Sequence, residues 1–210
     1  VFHCGEARYS GKIVARFAKT HRMTCGGTCK VGFMNQIIGA CKLIQEYKGL
    51  EKVPHINEQI TEMVVLRETG RACGLAAAME GVEDPPGSGV YLPDEVMGNV
   101  AKLNICNAFW RTMALAGDIG GGLVVTIPSL KELKNPDVKD YVEEFYSFGS
   151  ETPTEDIMKV HKLLQHWTAG LHGVGTWHGA GPVMAQKIML QRVVDFEHEK
   201  KLVTDTLKLK

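Results

Sequence analysis

The 210 residues balance 24 Lys and Arg against 24 Asp and Glu, so no charged face marks the chain as a nucleic-acid or membrane-surface binder. The length suits one domain with a sizeable core, and no apolar run approaches the roughly 20 residues of a membrane span. Val1-Phe2-His3-Cys4 lacks both the basic and the apolar stretch of a signal peptide, and the start on Val1 leads us to expect a processed product or part of a longer protein.

The first informative segment is His21-Arg22-Met23-Thr24-Cys25-Gly26-Gly27-Thr28-Cys29-Lys30. Imidazole and thiolate suit an iron–sulfur cluster or zinc, and the adjacent cations suit an anionic cofactor or acyl thioester. A continuous helix would set His21, Cys25 and Cys29 on one stripe. Gly26-Gly27 is expected to break that helix and turn Cys29 elsewhere. Two or three donors are fewer than the four that a cluster usually takes, and incidental thiols at a helix end are the plainer alternative. Of the six cysteines (4, 25, 29, 41, 73 and 106), Cys41, Cys73 and Cys106 lie in apolar helical stretches and read as buried, reduced thiols. Their sparse spacing is not that of a secreted disulfide framework, and a reducing cytoplasm fits.

Pro54 opens a helix whose stripe is Ile56, Ile60, Met63 and Val64, running through an Ala-rich stretch to a stop at Gly81. The Pro- and Gly-rich residues 83–89 form a loop. Asp94 then caps a helix carrying Val96, Val100 and Leu103 toward Leu115. This helix ends at Gly117-Asp118-Ile119-Gly120-Gly121-Gly122, either a Gly-rich C-cap or a turn whose N–H groups and carboxylate take a dinucleotide. Residues 123–127 read as the one strand candidate.

Ser129-Leu130-Lys131-Glu132 and Thr152-Pro153-Thr154-Glu155 read as capping boxes. The second leads a stripe of Ile157, Val160, Leu163, Leu164, Trp167 and Leu171. Between them, Asn135-Pro136 opens a short helix with Val138, Tyr141, Val142 and Phe145 on one face. Trp177-His178-Gly179-Ala180-Gly181 precedes the last helix, which starts at Pro182 and carries Met189, Val193 and Phe196. The fold class is all-α, a bundle of about five or six helices.

Several segments, in the same order, resemble the 4-hydroxyphenylacetate 3-hydroxylase family, and within it the 4-hydroxybutyryl-CoA dehydratases. They are Ala15-Arg16-Phe17-Ala18-Lys19-Thr20-His21-Arg22, the Gly-Gly-Thr-Cys-Lys that follows, Asp118-Ile119-Gly120-Gly121-Gly122-Leu123, Thr126-Ile127-Pro128-Ser129 and His178-Gly179-Ala180-Gly181. The resemblance implies the C-terminal helical domain of the acyl-CoA dehydrogenase fold across residues 1–210, with the N-terminal helical and middle β-domains absent. It implies FAD, a 4Fe–4S cluster and a homotetramer, with conversion of 4-hydroxybutyryl-CoA to crotonyl-CoA and isomerisation of vinylacetyl-CoA.

Carried over, His21 and Cys29 are cluster ligands. His21 doubles as general base, Lys30 lies beside substrate or cluster, and Arg22 faces the flavin. Asp118, Ile119, Gly120, Gly121 and Gly122 meet the FAD of a neighbouring subunit. Thr28 is one residue more than the family spacing: count alone puts Thr28 at the ligand position, whereas the continuing Cys-Lys-Val-Gly puts Cys29 there. The family pattern has Tyr where Cys25 stands, and an acidic residue where Gly173-Val174-Gly175-Thr176 precedes His178. A flavin-dependent aromatic hydroxylase and a non-catalytic helical assembly subunit are the alternatives. The missing domains, whether lost or on a separate chain, lead us to expect no turnover from this chain alone.

Overall fold

In the computed structural model, residues 5–176 and 181–209 are described, with backbone alone at His172. His178, Gly179 and Ala180 lie outside the described residues, as do Trp177 and Cys4. The elements are α1 (Ala7–Thr24), a π-helical turn (Cys25–Cys29), α2 (Lys30–Tyr47), α3 (Pro54–Met79), β1 (Val82–Glu83), β2 (Tyr91–Leu92), α4 (Glu95–Gly120) and α5 (Leu123–Thr126). A 3₁₀ turn (Leu130–Lys134), α6 (Lys139–Tyr146), α7 (Thr154–Thr168), α8 (Leu171–Gly175), α9 (Val183–Val193) and α10 (Glu197–Leu207) complete the order. The two strands form one antiparallel rung pairing Val82 with Leu92 and Glu83 with Tyr91. The all-α expectation holds.

The core sits where α2, α3 and α4 meet and α7 closes over them. On α2, Val31, Met34, Ile37, Ile38, Cys41 and Ile44 recur at helical spacing and are buried. They pack on Ile56, Ile60 and Met63 of α3, Ile105, Phe109 and Met113 of α4, and Leu164 and Trp167 of α7. Burial of such stripes, at about 25 cal/mol per Å² of apolar surface, is the main term holding the bundle together. A satellite core of Ile127, Val142 and Met158 lies under the 3₁₀ turn and α6. Asp94 caps α4 as expected, its Oδ1 accepting the Met97 N–H at 2.7 Å. Cys41 and Cys106 are buried, and burial pushes the Cys41 thiol up to about 12; Cys73 is only half-buried.

Four expectations are corrected. Gly26-Gly27 does not break the helix, because the chain stays helical through the π turn. Residues 123–127 are no strand: Val124 and Ile127 are buried and Val125 and Thr126 exposed, a spacing of three that suits the short helix α5. Thr152 is not the cap of α7; Pro153 holds that position, while Ser150 Oγ takes the Thr152 N–H at 3.1 Å. The last helix is two helices, since α9 ends at Val193 and Asp195 Oδ1 accepts the Glu197 N–H at 3.0 Å to begin α10. Ser129 does cap, with its hydroxyl accepting the Lys131 N–H at 3.2 Å, but between Pro128 and Pro136 it opens a 3₁₀ turn.

Candidate active site

The π turn is made by the Lys30 N–H reaching back five residues to the Cys25 carbonyl. Such turns hold one residue more than an α turn and are frequent at functional sites. Here the extra residue sets the register. Eight α-helical residues would swing Cys29 about 80° away from His21. With one residue taken up by the wider turn, seven remain, close to two full α turns, an arithmetic that turns Cys29 back toward the side of His21. Both are exposed, while Cys25, between them, is buried. Thr28 Oγ1 is committed to its own helix, donating to the Thr24 carbonyl at 2.6 Å.

Two neighbouring helices press on the turn. A Cβ on Gly26 would stand 2.6 Å from the Ala101 carbonyl carbon of α4, and one on Gly27 would stand 2.3 Å from the Gly74 Cα of α3. The glycines are therefore required for the close approach of three backbones. Behind the turn lie two lysines, Lys30 and Lys102, at 2% and 0% exposure. Lys102 Nζ donates to Cys25 Sγ at 3.2 Å, and Lys30 Nζ stands 5.3 Å from the centre of the Phe109 ring. Burial is the main cause lowering the Lys30 pKa. The Cys29 thiol opens to solvent on one side, yet protein packed against its other side, with Cys25, raises its pKa against the pull of Lys30 and Lys102. Lys30, expected beside substrate or cluster, is enclosed by the bundle. Arg22 is half-buried, and among the described residues its Nε–H meets no acceptor.

The second group lies at the far end of α4, 18 residues beyond Lys102 and so about 27 Å along the helix. It is the Gly-rich C-cap: Gly121 takes φ +64 and its N–H bonds the carbonyls of Gly117 and Asp118 at 2.9 and 3.1 Å. Gly120 is packed so closely that a Cβ would meet Val124 Cγ2 at 2.5 Å, and Ile119 is buried. Asp118 is exposed and accepts from Gln59 Nε2, and Gly121 and Gly122 face open space. Within one chain the two groups do not share a pocket.

Among the described residues, no three or more His, Cys, Asp and Glu side chains converge as a metal site. His21 and Cys29 fit half of a four-ligand set. Sequence reasoning missed Lys102 and Gly74, and their only signals were a lysine on an apolar face of α4 and the Gly70, Gly74 spacing on α3.

Residues 10–208 match the family model described as the 4-hydroxyphenylacetate 3-hydroxylase C terminal. The chain is 36% identical over 214 aligned positions to the 4-hydroxybutyryl-CoA dehydratase/vinylacetyl-CoA-Δ-isomerase of Clostridium aminobutyricum, covering 96% of the chain and 43% of that protein. It superposes on the oxygen-tolerant archaeal 4-hydroxybutyryl-CoA dehydratase from N. maritimus with a TM-score of 0.90 and 34% identity, over 98% of this chain and 41% of that one. The oxygenase component of 4-hydroxyphenylacetate 3-monooxygenase, solved with FAD and 4-hydroxyphenylacetate, shares the fold at a TM-score of 0.77 and 23% identity, over 85% of this chain and 38% of that one. The chain thus spans about two fifths of the length of these relatives.

Proposed function

Because the chain belongs to the 4-hydroxyphenylacetate 3-hydroxylase family, we propose that it is the C-terminal helical domain of a flavin- and iron–sulfur-dependent dehydratase/isomerase acting on 4-hydroxybutyryl-CoA or a related acyl-CoA. The observation that carries this reading is the π turn, whose extra residue offsets Thr28 and by helix arithmetic supports a shared face for His21 and Cys29, both of them exposed. The identity of 36% to a dehydratase supports it over the aromatic-hydroxylase reading, for which the oxygenase component from Thermus thermophilus shares 26% over 66% of the chain.

In this proposal His21 and Cys29 hold one side of a 4Fe–4S cluster, and the rest of the enzyme supplies the other two ligands. When bound, the cluster offers a Lewis-acidic iron to the departing hydroxyl and FAD an electron acceptor that makes the β-hydrogen removable. The chain's own parts have separate tasks. The exposed His21 imidazole would serve as general base only when it is not ligating, accepting the substrate proton at the ring nitrogen so freed. Lys30 and Lys102 set a positive field behind that face, favouring negative charge there. Arg22 would face the flavin and offer it positive charge. Asp118, the Ile119 backbone, Gly120, Gly121 and Gly122 meet the FAD of a neighbouring subunit, which accounts for the distance between the two groups. We propose a homotetramer in the cytoplasm, where thiols stay reduced; no helix among the described residues is long and apolar enough to cross a membrane.

The test is to purify the whole enzyme carrying this chain without oxygen, measure flavin, iron and labile sulfide, and offer it 4-hydroxybutyryl-CoA and 4-hydroxyphenylacetate in parallel. Crotonyl-CoA formation with bound flavin and iron is expected. Hydroxylation of the aromatic substrate by an iron-free flavoprotein would replace this reading with the alternative.

A further inference from the structure

The bundle also holds a nucleophile pair, Cys25 and Lys102, for which the proposed reaction has no covalent use. Cys25 and Lys102 are 6% and 0% exposed, and Lys102 Nζ lies 3.2 Å from Cys25 Sγ across 77 positions of sequence. Helix packing, not local spacing, makes the contact. A buried ammonium ordinarily sits against a carboxylate, yet no Asp or Glu is among the buried residues described. Lys102 meets a soft sulfur where a carboxylate is usual.

We propose that Cys25 and Lys102 are a redox modification site, joined on oxidation through a single oxygen as an S–O–N bridge between the π turn and α4. The oxidant is dioxygen. The Lys102 ammonium first releases a proton. Dioxygen then accepts four electrons, two from the sulfur and two from the nitrogen. One oxygen atom forms the S–O and O–N bonds in place of the S–H and one N–H, and the other leaves as water with those two hydrogens. Two dithiol molecules, each oxidised to a disulfide, return the four electrons with four protons, restoring thiol, amine and water.

Burial selects this product. An oxidised thiol in water proceeds to sulfinic acid or meets a second thiol, whereas the amine lies directly beside the Cys25 sulfur and Cys29 faces solvent. Closure asks only a small approach by a flexible lysine stem. The bridge would fasten the residue whose carbonyl receives the Lys30 N–H, and so hold the turn in its widened shape.

The test uses the full enzyme purified under reductant without oxygen, divided, with one half exposed to air and both digested without reductant. Mass spectrometry of the exposed half is expected to show the Cys25 and Lys102 peptides linked, with one oxygen gained and two hydrogens lost relative to their sum. Dithiothreitol should part them, and the linked species should be absent from Lys102→Arg and Cys25→Ser. Cys25 found as sulfinic acid, as a disulfide with Cys29 or as an unmodified thiol after exposure overturns the proposal. Linkage in the unsubstituted protein decides the matter even where a variant fails to fold.

Discussion

Gly27 and Gly74 meet with no room for a side chain on either: a Cβ built on one stands 2.3 Å from the other's Cα. This contact fixes α3 against the π turn, and it ties a residue far from the His-Arg motif to the geometry of that motif.

Gly74→Ala is therefore expected to destabilise the protein by about 1–3 kcal/mol, the usual cost of overpacking, or more because backbone and not a flexible side chain must move. Gly32→Ala is the control: its Cβ would meet nothing within 4 Å, and in a helix the change should stabilise by about 0.5–1 kcal/mol. Denaturant unfolding of both variants checks the pair.

Deleting Thr28 should be tolerated. Removing the extra residue converts the π turn to an α turn and leaves His21 and the following cysteine seven positions apart, still near two full turns. The deletion variant of the complete enzyme is expected to keep its iron and its helicity. Loss of iron with helicity intact would show that the widened turn itself, and not the shared face, is what the site requires.

His161 is 1% exposed, with Nδ1 at 2.9 Å from the Ile157 carbonyl and its ring 5.7 Å from that of Phe148. Burial lowers its pKa from 6.5, aided by Lys48 and opposed by the Ile157 bond. The unfolded chain therefore binds this proton more readily than the folded one. The stability contribution is fully present above about pH 6.5 and falls as pH drops toward the lower folded value. His161→Phe is expected to flatten the acid side of a stability-against-pH curve, measured by urea unfolding from pH 8 to 5. A curve unchanged in slope would contradict the assignment.

The 210-residue chain alone should turn over no 4-hydroxybutyryl-CoA, since two cluster ligands and the flavin-covering domain are assigned to the rest of the enzyme. Product formed by the purified chain, assayed without oxygen and with added flavin, iron and sulfide, would contradict the division of the site.

The long helices were legible because their apolar stripes keep a period near 3.6 and their ends carry proline, aspartate and glycine. Residues 123–127 misled because four apolar residues and Thr126 suit a strand as well as one helical turn, and only the restart after Gly121 decides between them. The Gly-Gly pair was read as a break because glycine permits one, whereas here it permits contact with α3 and α4. No periodicity distinguishes a π turn from an α turn within ten residues. Lys30 and Lys102 were hidden by their own polarity, since a lysine is ordinarily solvated. His21 and Cys29 were legible as residue types; their shared face was not, because it depends on the hydrogen bond from Lys30 to Cys25.

The most direct test of that shared face is iron and labile sulfide in Cys29→Ala and Cys25→Ala variants of the complete, assembled enzyme. Loss of a thiolate ligand should remove the cluster, whereas loss of a packed thiol should cost only stability. Cys29→Ala is expected to lose its iron and sulfide and Cys25→Ala to keep them. A full cluster in Cys29→Ala alongside an empty Cys25→Ala would place the ligand at the buried sulfur and contradict the account.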